Sequence, residues 1–252
     1  MCDLKCFLVT YDRLYDKAID QLDENEIKTI YCYKIQKKVP KNISFLISNH
    51  IKEWELPWND YRYQAKQYYE YGAMIHLLNN PSLISEATHI GLFHYDIIFN
   101  KNSIKSVCDK IKENRETIFF QKKRGVEDLY LSPYELRKIC EFMSKRLKMN
   151  IDPVIIRENG WFSEALSITP KHIFLQFASY LQDNYAEIEN ILIDNNWGIM
   201  NSIKHRVCGI VERMWGFYLM SHTIEKQQLD VIHDWDSYIH KHISEQKWIT
   251  AG

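Results

Sequence analysis

The sequence predicts a single α/β domain. The chain opens with two apolar segments, at 5–11 and 27–33, that have the character of strands and are separated by a charged stretch with helical character. This strand–helix–strand order is typical of an α/β sheet. A third apolar run, at 90–93, is bounded by polar residues and predicts a buried strand. With 252 residues, 46% of them apolar, the chain can bury one large core, so we assign 1–252 to one domain.

The remaining elements follow from periodicity and from residues that end helices and strands. Apolar residues recur at steps of three and four along 59–78, which predicts a helix, and Asn-Asn-Pro at 79–81 ends it. The same reasoning predicts helices at 103–114 and 133–148, strands at 117–121 and 165–170, with Pro170 opening the next helix, and a helix at 203–222.

The helix at 203–222 is apolar on two faces, which indicates that it is mostly buried. Glu212 lies within one of these apolar stripes. A buried carboxylate needs a cationic or hydrogen-bonding partner, and Arg206 and Arg213 are the candidates. We interpret Glu212 as a structural polar anchor, with catalysis as the alternative.

Composition narrows the class of protein. Lys and Arg number 32 against 33 Asp and Glu, a formal charge of −1, so we expect no nucleic-acid partner. The six cysteines form no CxxC pair, which favours reduced thiols. Met1 runs directly into the first strand without room for a signal peptide, and no run of eighteen apolar residues occurs. We therefore expect a cytoplasmic protein, either soluble or peripherally attached to a membrane.

Phosphate-binding glycine motifs are missing from the sequence. It contains neither G-x-G-x-x-G after the first strand nor a Walker A motif, and only eight glycines in total. The sequence therefore gives no motif that would assign the protein to the dinucleotide-dependent dehydrogenases or to the P-loop enzymes. Any phosphate is expected to be bound through a metal ion. The 34 aromatic residues would suit sugar stacking, although most aromatic rings belong to a core.

The segment at 88–100 carries the strongest indication of a site. The apolar run at 90–93 stops at His94 and Asp96, and in an extended chain these two side chains point to the same face. A carboxylate and an imidazole at the carboxyl end of a central strand can hold a divalent cation, where open α/β sheets bind ligands. The alternative is that both side chains hydrogen-bond a neighbouring loop.

Two segments give a family resemblance. Tyr-Glu-Tyr-Gly-Ala at 69–73 and Ile-Gly-Leu-Phe-His-Tyr at 90–95 resemble the DUF4422-type family of capsule and lipopolysaccharide glycosyltransferases and their virus-encoded relatives, with a weaker similarity at 211–215. The common family form continues with two arginines after His-Tyr, whereas this chain has Asp96 and Ile97. Asp96 therefore looks more like the acid of the DxD motif in GT-A-fold transferases.

The resemblance implies a GT-A-like (Rossmann-like) mixed sheet flanked by helices, and a transferase that uses Mn²⁺ or Mg²⁺. The donor would be a UDP- or GDP-sugar carrying a hexose or deoxyhexose, and the acceptor a glycan or a lipid-linked glycan. The nucleotide-sugar half would span about 1–125 and the acceptor half about 126–252. Two alternatives stay open: a metal-independent transferase of the same fold, and a non-catalytic carbohydrate- or partner-binding protein.

The resemblance also assigns roles to residues on the donor side. It places Thr10, Tyr11 and Asp12 near the nucleotide, although Asp12 in an ordinary turn would cap a helix. Glu70 and Tyr71 would face the cleft, with a solvated glutamate as the alternative. His94 and Tyr95 would complete the donor site, and His94 and Asp96 would bind the metal ion.

On the acceptor side, the resemblance implies a general base in the loop that follows Trp161. Glu164 is the candidate, since an inverting transferase needs a carboxylate to remove the proton of the acceptor hydroxyl. The alternative is an exposed loop glutamate. His233 is expected to be a further metal ligand, with a polar tail as the alternative. The cations at 122–124 would steer a diphosphate or simply lie in a surface turn.

Overall fold

The computed structural model describes residues 3–10, 13–15, 18–35, 47, 49–56, 70–162, 166–194, 203–233 and 248–250. The helices and strands of these residues are, in chain order, β1 (Leu4–Thr10), β2 (Arg13–Tyr15), α1 (Glu24–Ile27), β3 (Ile30–Lys34), β4 (Asn49–Lys52), α2 (Glu70–Asn79), β5 (His89–His94), β6 (Ile97–Phe99), α3 (Ser103–Glu113), β7 (Thr117–Phe120), β8 (Lys123–Arg124), α4 (Pro133–Leu147), α5 (Pro153–Asn159), β9 (Trp161–Phe162), β10 (Ser167–Pro170), α6 (Lys171–Asp194), α7 (Ile203–Ser221), β11 (Glu225–Gln228), β12 (Val231–His233) and β13 (Trp248–Thr250). Short 3₁₀ helices lie at Glu53–Glu55, Pro81–Ile84 and Val126–Leu129.

Within the described residues, a seven-stranded sheet forms the centre of the molecule. Its strand order is β11-β7-β10-β5-β1-β3-β4. β10 runs antiparallel to both of its neighbours, and the other neighbouring pairs are parallel. Helices flank this sheet, so the predicted α/β class with a mixed sheet is confirmed.

The two faces of the sheet bury different cores. On one face, aromatic residues of α6 and α7 pack together around Phe177, which contacts the rings of Tyr180, Trp215 and Tyr218. On the other face, α3 buries its apolar stripe in a second cluster that contains Phe93 and Phe99. Because β5 carries residues of both clusters, it is the buried central strand that its uninterrupted apolar run predicts.

Local sequence signals explain where the central helices begin. Ser132 caps α4, with Glu135 completing a capping box and Pro133 in the first turn. Asp152 caps α5 by accepting a hydrogen bond from the Val154 amide, and Pro153 follows it. Pro170 ends β10 and α6 starts at Lys171, as the sequence predicts. No helix of the described residues has the length and hydropathy needed to cross a bilayer.

The prediction of a helical stretch between the first two strands is wrong. Arg13–Tyr15 is a strand paired with Trp248–Thr250, and among the described residues of this stretch only Glu24–Ile27 is α-helical. The pairing partner lies more than 230 positions away in the chain, and local periodicity carries no information about such a partner. The helix expected at 59–78 is described from Glu70 onward, where it is confirmed.

Candidate active site at the carboxyl edge of the sheet

Three parts of the chain meet where β1 and β5 end. In the parallel register Val9 lies opposite His94, and Thr10 lies opposite Lys34 of β3. β10 enters the sheet at this same edge, because Ser167 pairs antiparallel with Leu92. The carboxyl edge therefore gathers the end of β1, the His94 turn and the segment that leads into β10.

Three of the predicted site residues, Tyr11, Asp12 and Glu164, lie outside the described residues. Thr10 is described and fully buried. Its hydroxyl lies 3.4 Å from the Tyr33 carbonyl oxygen, to which it donates, and its own carbonyl accepts from the Ile35 amide at 3.1 Å. These contacts inside the protein fix Thr10 at the end of β1.

His94 is the centre of the described site. Its Nε2 lies 3.6 Å from Glu70 Oε2, and its Nδ1 lies 3.9 Å from Asp96 Oδ1. The side chains of Glu70, Asp96 and His94 are 3%, 15% and 25% exposed, respectively. Glu70 therefore lies behind the imidazole, and Asp96 lies on its more exposed side.

The expectation that His94 and Asp96 share one face of an extended strand is wrong in its detail. β5 ends at His94, residues 95–96 form a turn, and β6 begins at Ile97. The turn nevertheless brings the two side chains together. Tyr95 is partly buried and packs against the core cluster of Phe93 and Phe99, so it anchors the turn.

β12 brings a second histidine to the same turn. β6 pairs antiparallel with β12, and His233 lies opposite Ile97, the residue that follows Asp96. The backbone of His233 therefore lies beside the Asp96 turn, although the two positions are 137 residues apart in the sequence. Only the backbone position of His233 belongs to the described structure.

Helix α2 is held rigidly behind His94. Glu70 and Tyr71, in its first described turn, are 2% and 1% exposed. Further along, His76 Nδ1 lies 2.5 Å from the Tyr33 hydroxyl of β3. Burial lowers the pKa of His76 to about 3 and raises that of Tyr33, so both are neutral at pH 7. This neutral contact ties α2 to the sheet and fixes the position from which Glu70 faces His94.

Helix α7 contributes two further groups near Glu70. Burial raises the pKa of the Cys208 thiol, and the neighbouring carboxylates of Glu70 and Glu212 raise it further. The thiol is therefore protonated at neutral pH and is a poor nucleophile.

Glu212 Oε2 lies 3.6 Å from Arg213 Nη1, one of the two partners expected for it. The four-residue spacing of 208 and 212 signals one helix face, but only the fold shows that Glu70 lies nearby.

Arg213 secures the segment that leads to 163–165. Its guanidinium donates to the carbonyl oxygens of Leu129 and Gly209 at 2.6 and 2.7 Å, and it lies 5.2 Å from the centre of the Trp161 ring. The Trp161 indole donates to the Gly125 carbonyl at 3.3 Å. Trp161 of β9 therefore contacts both Arg213 of α7 and Gly125, the residue after β8.

The basic residues at 122–124 lie beside β9. In the β8–β9 pair, Lys123 lies opposite Phe162 and Arg124 lies opposite Trp161. Arg124 also pairs with Asp128 at 3.8 Å, whereas Lys122 and Lys123 are exposed. Two lysines are therefore presented next to the segment that continues to residue 164.

The Asp96 carboxylate at the His94 turn is the kind of oxygen ligand that Mg²⁺ and Mn²⁺ prefer, whereas the His94 imidazole is more typical of softer divalent metals. His94 Nδ1 and Asp96 Oδ1 lie 3.9 Å apart, wider than two adjacent ligands of an octahedral Mg²⁺ site, so the two side chains must move closer together to bind one ion. The described side chains form no cluster of three such ligands.

The fold can be compared with known structures. The protein is similar to WbbM, a bifunctional glycosyltransferase whose apo structure is known, with a TM-score of 0.50 and 15% sequence identity. The likeness covers 90% of this chain and 45% of the WbbM chain, so the protein spans less than half the length of that enzyme. At this identity the likeness is one of fold, and it shows a Rossmann-like fold of a kind found in a glycosyltransferase.

Comparisons of sequence add no family. No protein-family model matches the chain, and no curated protein matches it significantly. The resemblance to the DUF4422-type family is therefore not confirmed.

Proposed function

We propose that the protein is a glycosyltransferase that moves a hexose or deoxyhexose from a UDP- or GDP-sugar to a glycan or lipid-linked acceptor. The observation that carries this proposal is the convergence of His94, Asp96 and Glu70 at the carboxyl edge of the sheet, in a fold shared with a bifunctional glycosyltransferase. Open α/β sheets bind their ligands at this edge. The cytoplasmic location belongs to the same proposal.

On the donor side, Tyr11 and Asp12, which follow Thr10 in the sequence, bind the nucleotide, and the His94–Tyr95 turn receives the diphosphate. Asp96 and His94 hold Mn²⁺ or Mg²⁺, with His233 as a further ligand from the adjacent strand. When bound, the ion offsets the negative charge that develops on the departing diphosphate.

Glu70 has a supporting role in this proposal. A carboxylate that faces one nitrogen of a metal-binding imidazole fixes the orientation of the ring and raises its basicity. Glu70 Oε2 faces His94 Nε2, while His94 Nδ1 faces Asp96. Glu70 is also deeply buried, so we assign it to orienting His94 and leave Tyr71 in the wall of the donor site.

On the acceptor side, Glu164 acts as the general base of an inverting displacement. Its carboxylate takes the proton of the acceptor hydroxyl while that oxygen bonds to the anomeric carbon, and the bond from this carbon to the diphosphate oxygen breaks on the opposite face. The segment that carries Glu164 joins β9 to β10, and Ser167 enters the sheet opposite Leu92, two residues before His94. Lys122 and Lys123 lie beside β9, where they attract the anionic donor.

The proposal predicts stabilisation by nucleotide that depends on metal. UDP or GDP at about 100 times its Kd adds about 2.7 kcal/mol to the free energy of unfolding, which is a rise of roughly 5–10 °C in melting temperature for a chain of this size. We expect this rise with Mn²⁺ and only a small one in EDTA. Uridine and guanosine, which lack the diphosphate, should show no metal dependence, and slow hydrolysis of one nucleotide sugar should accompany binding.

The same measurement separates a transferase from a carbohydrate-binding protein. A lectin-like protein would bind free oligosaccharide through aromatic faces and would not respond to nucleotides. If oligosaccharides raise the melting temperature while UDP and GDP leave it unchanged with and without Mn²⁺, the transferase proposal is overturned. A nucleotide shift of equal size in Mn²⁺ and EDTA would instead point to the metal-independent alternative.

A further inference from the structure

Within the part of the chain that the structure describes, most exposed large apolar side chains fall in one stretch of the sequence. Among the described residues, six large apolar side chains are strongly exposed. One is Ile232, and the other five fall between positions 126 and 155. We call these five the apolar face; its members are Val126, Tyr130, Tyr134, Val154 and Ile155, which are 39%, 72%, 59%, 56% and 46% exposed.

The elements that carry the apolar face pack against one another. α5 contacts both α4 and the 3₁₀ helix Val126–Leu129. Leu129 and Ile156 are buried beneath this surface, and the Leu129 carbonyl accepts from Arg213. The five exposed side chains therefore belong to elements that lie next to one another.

The backbone at Tyr130 is held in an unfavourable conformation. Its φ is 52°, in the left-handed region that costs an ordinary residue about 1–2 kcal/mol. Tyr130 is also the most exposed side chain of the apolar face. The bond from Arg213 to the Leu129 carbonyl fixes the residue before it. Tyr130 is the residue that ends the 3₁₀ helix Val126–Leu129, and the left-handed conformation there fixes the direction in which its exposed side chain leaves the backbone.

The surroundings of the apolar face are basic. Residues 122–158 contain nine Lys and Arg against six Asp and Glu, a net charge of +3, while the whole chain carries −1 and the remainder therefore −4. Glu135 and Asp152 cap helices. Three of the cations in this described stretch are paired as well: Arg124 with Asp128, Lys138 with Glu141, and Arg146 with Glu187 of α6. Arg137, Lys138 and Arg157 are exposed on α4 and α5.

We propose that the apolar face is a docking surface for an anionic lipid bilayer. Tyrosine and aliphatic side chains enter the boundary between headgroups and acyl chains, and nearby Lys and Arg bind anionic headgroups, each contributing about 1 kcal/mol. The Lys138 ammonium lies 5.7 Å from the centre of the Tyr134 ring, which places a cation directly beside an aromatic anchor. This inference is independent of the proposed transferase activity.

Co-sedimentation of the full chain with vesicles tests the inference. The parent protein should sediment with vesicles of phosphatidylcholine containing 30% phosphatidylglycerol, and far less with phosphatidylcholine alone. The double variant Tyr130→Ser/Tyr134→Ser should lower the partition coefficient at least tenfold. Ile232→Ser, which removes the exposed apolar side chain outside the face, should bind like the parent.

A second set of variants reverses the charge of two cations near the apolar face and, as a control, of two cations elsewhere on the surface. Arg137→Glu with Arg157→Glu should weaken binding to the anionic vesicles at least tenfold, whereas Lys28→Glu with Lys112→Glu, both exposed elsewhere, should have a much smaller effect. All substituted side chains are exposed, so the melting temperature should not change. Equal binding of the face variants and their controls, or no binding of the parent, would overturn the proposal. Parent self-association that the Tyr130→Ser/Tyr134→Ser variant abolishes, without vesicle binding, would overturn it in favour of a second copy of the chain.

Discussion

Asp96→Asn should lower sugar transfer at least a hundredfold while leaving the melting temperature without ligand nearly unchanged. The substitution removes one negative charge and almost no volume from a side chain that is 15% exposed. A carboxylate that holds a metal ion at a departing diphosphate contributes to the transition state far more than to folding. Initial rates of nucleotide-sugar turnover at several Mn²⁺ concentrations measure the effect, and Asp109→Asn, on the exposed side of α3, is the matched control.

Two further variants rank the roles around Asp96 in the same assay. Glu70→Gln should weaken Mn²⁺ activation about 10–100-fold, as expected for a group that orients a metal-binding histidine. Glu164→Gln should retain the nucleotide-dependent rise in melting temperature and lose transfer, because a general base acts on the acceptor. Full activity of Asp96→Asn with unchanged Mn²⁺ dependence would remove Asp96 from the site. Equal loss of donor binding and transfer in Glu164→Gln would place Glu164 on the donor side.

Gly216→Ala should destabilise the protein by about 1–3 kcal/mol, the usual cost of forcing extra volume into a packed site. A Cβ at position 216 would lie 2.1 Å from the Phe162 carbonyl oxygen and 3.0 Å from the Trp161 ring, so α7 and β9 must move apart. Helix propensity alone predicts the opposite sign, a gain of about 1 kcal/mol on replacing glycine by alanine inside a helix. Denaturant unfolding of the two proteins gives the difference in free energy.

The same variant tests the link between β9 and the site. β9 leads directly to residues 163–165, so its displacement should reduce transfer more than it reduces nucleotide binding. A more stable Gly216→Ala protein with normal transfer would show that β9 accommodates the methyl group without cost and that its close contact with α7 has no bearing on activity.

The sequence by itself was enough for the features that depend on neighbouring residues. The apolar run of β5, the start of α4 at Pro133 and the boundary at Pro170 are local signals of burial and of helix and strand ends, and the structure confirms each of them. Only one residue separates His94 from Asp96, so their side chains lie close together as predicted. The backbone that brings them together is a turn and not the extended strand that was predicted.

Only the tertiary structure decided which distant residues meet. Glu70 behind His94, His233 beside the Asp96 turn and Arg213 against Trp161 join positions 24, 137 and 52 residues apart. The pairing of β2 with β13 is of the same kind, and it is where the expected helix failed. The periodicity of a sequence predicts which face of a helix or strand a residue lies on. Which residue of another element it contacts depends on the order of the strands and on the packing of the helices. These contacts are stabilised by the burial of surface between distant segments, which cannot be predicted from a short stretch of sequence.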